Sequence, residues 1–426
     1  MNKNSHIAIV GGGVAGLEIA TQLGNTLGSR KQNTITLIDK DFVHIWKPIL
    51  HTIAAGTNDL YQQQVSLTAH ASQHHFTYVP GEMAGLDRTQ RKIKLKPITM
   101  PDGIEIAPAR EVEYDVLIIA VGSHANDFNI PGVSERCFFI DSRTEADQFN
   151  QHVRMNLLRC ALNRSGMTIS VVGGGATGVE LVAELVQLVE MTENYSNIKF
   201  QKPISINLIE SGSRLLSAFP EKISIAVKEL LSGLGINVMV NTNAVAAEEN
   251  GLKLNDGRLI ESTLMVWAAG VKAPDFLNSL DGLETQKNNM LCVKPTLQTT
   301  LDDNIFAVGD CAYVVSGGLP PTAQVAHQQA KFLIKYLPKY LKGKPLPPFH
   351  YRHLGGFVSL GKYNAYGSLG KYGLLRGLFL QGIIANWTYH YIYRNYQKSI
   401  HGIIKGYLLW LSEKINKLVH PRIRLD

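Results

Sequence analysis

The stretch IAIVGGGVAGLEIA (residues 7–20) returns later in the chain as ISVVGGGATGVELVAEL (residues 169–185). In the first, Gly11, Gly13 and Gly16 fill the positions of a G-x-G-x-x-G pattern; in the second, Gly173, Gly175 and Gly178 do. Each follows a short apolar run that reads as a strand and opens a helical pattern. The first glycine permits the tight turn, the second lets the backbone approach a pyrophosphate, and the third lets helix and strand pack closely. The pyrophosphate then rests on free N–H groups at the positive end of the helix, here from Gly11, Gly12, Gly13, Val14, Ala15 and Gly16. Two such turns in context predict an α/β chain with two Rossmann-like folds and two bound nucleotides.

Each unit also carries an acid at the end of its next strand. TITLID (34–39) ends in Asp39, 23 residues after Gly16, with Lys40 beside it. PISINLIE (203–210) ends in Glu210, 32 residues after Gly178, the longer gap being filled by a polar insert at Glu193–Lys202. An acid at this place binds ribose hydroxyls. A carboxylate repels a 2′-phosphate, so the second site is expected to prefer NADH to NADPH, a preference tempered by nearby Arg214.

Working outward, strands are predicted at His6–Val10, Thr77–Val79, Lys92–Leu95, Thr168–Val172 and Asn237–Val240, and helices at Val14–Leu27, Gly178–Thr192, Ile223–Leu234 and Thr322–Leu337. Three apolar runs end in glycine: YDVLIIAV before Gly122, LMVWAAG ending at Gly270, and NIFAVGD with Gly309 and Asp310. Such continuous apolar runs suit buried parallel strands. Asp310, at a strand-to-helix junction, can hold a flavin's ribityl chain or serve as a helix cap. Beside two dinucleotide folds the flavin reading is preferred, which makes FAD the expected second cofactor.

Composition sets bounds. The chain has 426 residues, enough for two or three domains. Its four cysteines (Cys137, Cys160, Cys292, Cys311) form no C-x-x-C and fit a reducing compartment. No secretory signal and no apolar run of spanning length is visible, and no metal site is expected. The net charge of +7 is concentrated at the end: Lys362–Asp426 holds ten Lys/Arg against two acids, leaving residues 1–361 at −1. That argues against a nucleic-acid surface and for a local anionic partner.

Taken together, the Gly11–Gly16 turn, Asp39, LIIAVGS, GGGATGVE, WAAG and VGD resemble the two-dinucleotide-domain flavoproteins. The resemblance implies FAD on the first fold and NADH on the second. HIWKPILHTIAAG (44–56) and PPTAQVAHQQA (320–330) narrow it to the type II NADH:quinone oxidoreductases, although that family usually has Pro where this chain has Ala176. The implied domains are 1–115 with 296–360 for FAD, 116–295 for NADH, and 361–426 for membrane association. The resemblance further implies that Glu180 lies between nicotinamide, flavin and quinone. Ala323 and Gln324 would lie by the flavin ring, Gln324 and Gln328 at the quinone, and Lys47 and Pro48 near the flavin's other face. Plainer readings stand beside these: Glu180 as a first-turn helix acid, the two glutamines as a solvated face, Lys47 as a surface charge.

The tail favours the same branch. GLFLQGIIANWTYHYIY (377–393) contains no Asp, Glu, Lys or Arg, is flanked by Arg376 and Arg394, and precedes a mixed apolar and basic block at Ser399–Val419. Such segments suit helices lying in a headgroup plane, although a homodimer contact or packing on the body are alternatives. The expected place is the cytoplasmic face of a bacterial inner membrane, with ubiquinone or menaquinone as acceptor. The rivals are a sulfide:quinone oxidoreductase, which needs a redox-active cysteine pair, and a non-enzymatic NADH-responsive flavoprotein docking on membranes.

Overall fold

A computed structural model describes residues 4–30, 33–58, 64–100, 102–196, 200–370 and 378–419. In chain order, the strands that position the candidate sites are β1 (Ser5–Val10), β2 (Asn33–Asp39), β3 (Thr77–Pro80), β4 (Val116–Ile119), β5 (Met167–Val172), β6 (Ile204–Ile209), β7 (Asn237–Met239), β8 (Leu264–Trp267), β9 (Ile305–Ala307), β10 (Gly355–Leu360), β11 (Asn364–Leu369) and β12 (Phe379–Gln381). The helices are α1 (Val14–Leu23), α2 (Leu50–Ala54), α3 (Arg143–Asn163), α4 (Ala176–Ser196), α5 (Glu221–Gly233), α6 (Ala323–Tyr340), α7 (Ile383–His401) and α8 (Ile403–Val419).

The chain divides into two compact units. The first is Met1–Trp46, Gln63–His124 and Val271–Tyr351; the second is Lys47–Gln62, Ala125–Gly270 and Arg352–Asp426. Compactness therefore brings the chain back into the first unit at Val271, and it assigns Lys47–Gln62 to the second.

In the first unit a parallel sheet runs β9-β4-β1-β2-β3. Its middle strands are buried almost throughout, as a sheet covered on both faces requires. Gly11 makes the turn out of β1 at φ +103°, a conformation that L side chains rarely adopt. Gly16 meets that turn so closely that a Cβ would stand 1.8 Å from the Gly11 carbonyl oxygen.

In the second unit the sheet runs β7-β6-β5-β8, also parallel. The order β3-β2-β1-β4 of the first unit is thus repeated as β7-β6-β5-β8. In both, the fingerprint strand is flanked by the strand that carries the acid. Helix α3 starts with a capping box in which Ser142 and Glu145 satisfy each other's backbone N–H groups. Its Asn150 donates to the Ala54 carbonyl at the end of α2, at 3.2 Å.

Several elements end differently from their expected bounds. The runs predicted to continue to Val121, Gly270 and Asp310 stop as strands at Ile119, Trp267 and Ala307, two or three residues before Gly122, Gly270 and Gly309, each of which turns the chain at positive φ. Helix α4 extends past Thr192 to Ser196 and takes up part of the polar insert, whose residues 197–199 lie outside the described residues. The largest correction is at the tail. The region 361–426 is not helical from its start: β10, β11 and β12 form an antiparallel sheet, and part of the 377–393 block is strand β12 rather than helix. The turn between β10 and β11 at Gly361 (φ +58°) favours a hairpin here. The flanking Arg376 lies outside the described residues. No helix among the described residues is long and apolar enough to cross a membrane.

Candidate functional site

The first unit holds a dinucleotide cradle. Asp39 at the end of β2 accepts the Gly12 N–H through one carboxylate oxygen and the Asp41 N–H through the other, the latter at 2.8 Å. His44 donates from Nδ1 to the Gly12 carbonyl at 2.8 Å. The turn is therefore held from both sides. The position a Cβ would take at Gly13 is open space, so the backbone there is accessible to a pyrophosphate. Val14 and Ala15 open helix α1 directly after it, and Lys40 is exposed. These features fit the pyrophosphate and ribose of FAD.

On the same unit, Ser123, next to Gly122, donates to Asp310 Oδ2 at 2.7 Å. The Gly309 N–H donates to Gln329 Oε1 at 2.6 Å. Asp310 is thus a partner of the glycine turn after β4 and lies in the short turn Gly309–Cys311. Thr322 caps α6, accepting the Val325 N–H, and sets Ala323 and Gln324 in its first turn. Gln324 accepts the Tyr351 hydroxyl at 2.8 Å. Gln328 follows one turn later and is half-buried. Sequence reading missed Gln329, which is buried, and the contact of His327 with Glu18 at 2.5 Å.

The second unit repeats the cradle. Glu210 accepts the Gly174 N–H at 2.6 Å and the Gly212 N–H at 2.6 Å. The space beyond Gly175 is open, and Gly178 packs against the Gly173 carbonyl. A cavity of about 120 Å³ lies beside Glu210, lined by Gly173, Thr242, Trp267 and Ala269. Gly270 closes the run after Trp267 and approaches Phe128. Arg214 is held elsewhere: its guanidinium donates to the carbonyls of Phe219 (2.9 Å) and Ser217 (2.7 Å) and to Ser224 Oγ (2.6 Å). Among the residues lining this cavity Glu210 is the one that carries a charge, and the set fits NADH.

The second unit also contains a buried acid–base pair. Glu180, in the first turns of α4, is 5% exposed. Its Oε2 lies 3.5 Å from His51 Nδ1 on α2, and its Oε1 accepts the Ser359 N–H from β10 at 2.9 Å. Burial pushes the carboxyl up to about 8, the Ser359 N–H opposes this, and Glu184 adds to it. Burial pushes His51 down to about 4, against a hydrogen bond to the Pro48 carbonyl. At neutral pH the contact therefore joins a carboxylic acid and a neutral imidazole rather than two ions. His51 stands in the quoted stretch HIWKPILHTIAAG, but nothing in its spacing singled it out. Lys47, in the same stretch, pairs with Asp141 at 3.2 Å.

Two repeated dinucleotide cradles define a pyridine-nucleotide flavoprotein. A family model of the pyridine nucleotide-disulphide oxidoreductases matches residues 5–330. A type II NADH:quinone oxidoreductase of Haemophilus influenzae is 40% identical, over 99% of each chain. The chain belongs to the type II NADH:quinone oxidoreductases. In fold it is similar to the solved structure of NDH2 from Plasmodium falciparum in complex with NADH, with TM-score 0.84, 21% identity and 99% and 100% of the two chains covered. A sulfide:quinone oxidoreductase of Aquifex aeolicus shares the fold at TM-score 0.72 and 18% identity, over 98% and 96% of the chains.

Proposed function

We propose that Glu180 supplies a proton to quinone in this enzyme, that His51 keeps it neutral and oriented, and that the C-terminal helices dock the protein on a lipid surface. The activity is transfer of a hydride from NADH to FAD and then of two electrons to a quinone, without proton pumping. FAD, when bound, supplies the hydride-accepting and electron-donating chemistry. The chain's residues do the rest. Asp39, the turn at Gly13 and Asp310 would hold FAD. Glu210 and the open backbone at Gly175 would hold NADH. Ala323, Gln324, Gln328 and Lys47 keep the roles expected of them at the flavin and quinone as part of this proposal.

The observation that carries the reading is the 3.5 Å contact of the buried Glu180 carboxyl with the buried His51 imidazole, where burial pushes the carboxyl up to about 8 and the imidazole down to about 4. A group meant to give up a proton works best with an affinity near the operating pH. The test is stopped-flow spectroscopy of purified protein. NADH bleaches the flavin, a short-chain quinone restores it, and Glu180→Gln slows only the second phase. A flavin left oxidised by NADH overturns the reading. The sulfide rival lacks its chemistry: all four cysteines are buried and free. Burial pushes Cys137 up to about 12 and Cys311 up to about 11, away from the thiolate that sulfur transfer needs.

Docking is supported by the apolar residues that α7 and α8 leave uncovered. Ile383, Ile384, Trp387 and Tyr391 recur at helical spacing on α7, and Ile403, Ile404, Tyr407, Leu408 and Leu411 on α8. Lys398, Lys405 and Lys414 stand among them. This is the pattern of helices lying at an anionic headgroup plane. The proposal includes the cytoplasmic face of a bacterial inner membrane, where NADH is supplied, and a homodimer.

A further inference from the structure

The reaction NADH + H⁺ + quinone → NAD⁺ + quinol draws one proton per turnover from solvent. The hydride brings two electrons and one proton, whereas the quinone takes up two of each. Glu180 is buried, so a proton that it gives away has to be replaced through the protein.

Helix α4 offers the path. Glu184, Gln187 and Glu190 follow Glu180 at intervals of four, three and three residues, along one helical face. Glu184 is buried like Glu180, and its Oε2 accepts the Thr57 hydroxyl at 2.6 Å. At the far end, the Glu190 side chain is 39% exposed and pairs with Lys362 Nζ at 2.5 Å. The hairpin β10–β11 follows this face. Ser359 N–H binds Glu180, and Lys362 N–H binds Gln187 Oε1 at 3.0 Å. Between them Gly361 lies so close that a Cβ would stand 2.8 Å from Gln187 Oε1 and 3.1 Å from Glu184 Oε1.

The titratable groups along this face are His51 beside Glu180, Tyr389 on α7, Tyr363 after β10, and the Glu190–Lys362 pair at the far end. Burial pushes the Tyr389 phenol up, and Glu180 and Glu184 both push it further, so the two carboxyl groups share one electrostatic neighbourhood. Tyr363 is likewise pushed up by burial, by Glu190 and by Glu184.

We propose that Glu184 is the relay residue that reprotonates Glu180, drawing its own proton from solvent at the Glu190–Lys362 end of this face. The proposal rests on the reading that Glu180 protonates quinone. When Glu180 has lost its proton, the Glu184 O–H bond breaks and a Glu180 O–H bond forms. Glu184, left as a carboxylate, is then reprotonated from water. No electron moves in this step.

The test uses the full-length flavoprotein and a short-chain soluble quinone, with the two half-reactions followed separately by stopped flow. In Glu184→Gln, flavin reduction by NADH stays close to the parent rate. Reoxidation by quinone slows at least about tenfold at pH 8.5, recovers toward the parent rate at pH 6, and shows a larger solvent deuterium effect. Reoxidation that matches the parent at every pH overturns the relay. Slowing by the same factor at every pH also overturns it, since that is the mark of a structural defect. If Glu184→Gln loses its flavin, Thr57→Val decides: a shifted pH profile supports the relay and a superimposable one overturns it. A parent flavin that quinone does not reoxidise at all overturns the underlying reading, and the relay with it.

Discussion

His51 Nδ1 lies 3.5 Å from Glu180 Oε2 with both side chains buried, and the two are neutral together at pH 7 because burial acts on them in opposite directions. Removing the imidazole takes away a polar partner of that carboxyl oxygen. His51→Ala is expected to slow flavin reoxidation by about tenfold or more, while NADH still bleaches the flavin at close to the parent rate. In the parent, reoxidation should fall as pH rises through about 8, where Glu180 loses its proton. A rate that stays flat to pH 10 would remove Glu180 from the proton step.

The same pair makes stability depend on pH. Glu180 holds its proton more tightly folded than unfolded. Its contribution is therefore full below the unfolded value of 4.5 and is lost as pH rises through about 8. His51 has the opposite sign: its contribution is full above 6.5 and is lost as pH falls through about 4. Glu180→Gln should cancel the first dependence. Urea unfolding at pH 5 and pH 8.5 should show the variant gaining on the parent by a few kcal/mol at the higher pH. An unchanged difference between the two pH values would contradict this.

Glu210 holds two backbone N–H groups in the second cradle. Glu210→Ala should raise the KM for NADH about tenfold, roughly the worth of one charged hydrogen bond. NADPH should gain little in return, because Arg214 is already occupied by Ser217, Phe219 and Ser224. Steady-state kinetics with both nucleotides checks each half of this expectation.

Gly13 and Gly16 separate binding from packing. A Cβ at Gly16 meets the Gly11 carbonyl, so Gly16→Ala should cost about 1–3 kcal/mol or more and yield protein without flavin. A Cβ at Gly13 meets no protein atom. Gly13→Ala should therefore fold normally and lose flavin affinity alone, as read from the absorbance of the purified protein and its melting temperature.

Docking can be tested on vesicles. Ile384→Ser with Trp387→Ser removes two large exposed apolar side chains from α7, each worth roughly 1.5–3 kcal/mol when buried. Sedimentation with vesicles containing anionic lipid should fall at least tenfold, and parent binding should weaken with salt. Turnover of a soluble quinone should be unchanged.

Much of the fold was legible because local rules decide it. Gly11 and Gly173 demand a left-handed turn, and β4 and β8 are continuous apolar runs of a kind that double-sided burial selects. Asp39 and Glu210 were legible for the same reason, since each acts on a glycine turn of its own unit. His51, Ser359 and Gln329 were not. His51 and Ser359 act on Glu180 from far away in sequence, Ser359 by its backbone alone, and Gln329 lies inside a helix, so no spacing rule marks them. The β10–β11 hairpin was hidden by a Gly- and Tyr-rich composition that reads equally well as loop.

The burial of Cys137, Cys160, Cys292 and Cys311 has a consequence for durability. A flavoprotein that meets oxygen in its reduced state leaks peroxide, and peroxide attacks exposed thiolates first. Here every thiol is withdrawn from solvent, and burial makes Cys137, Cys292 and Cys311 hold their protons more tightly than a free thiol does. Its thiols are therefore poor targets for such an oxidant.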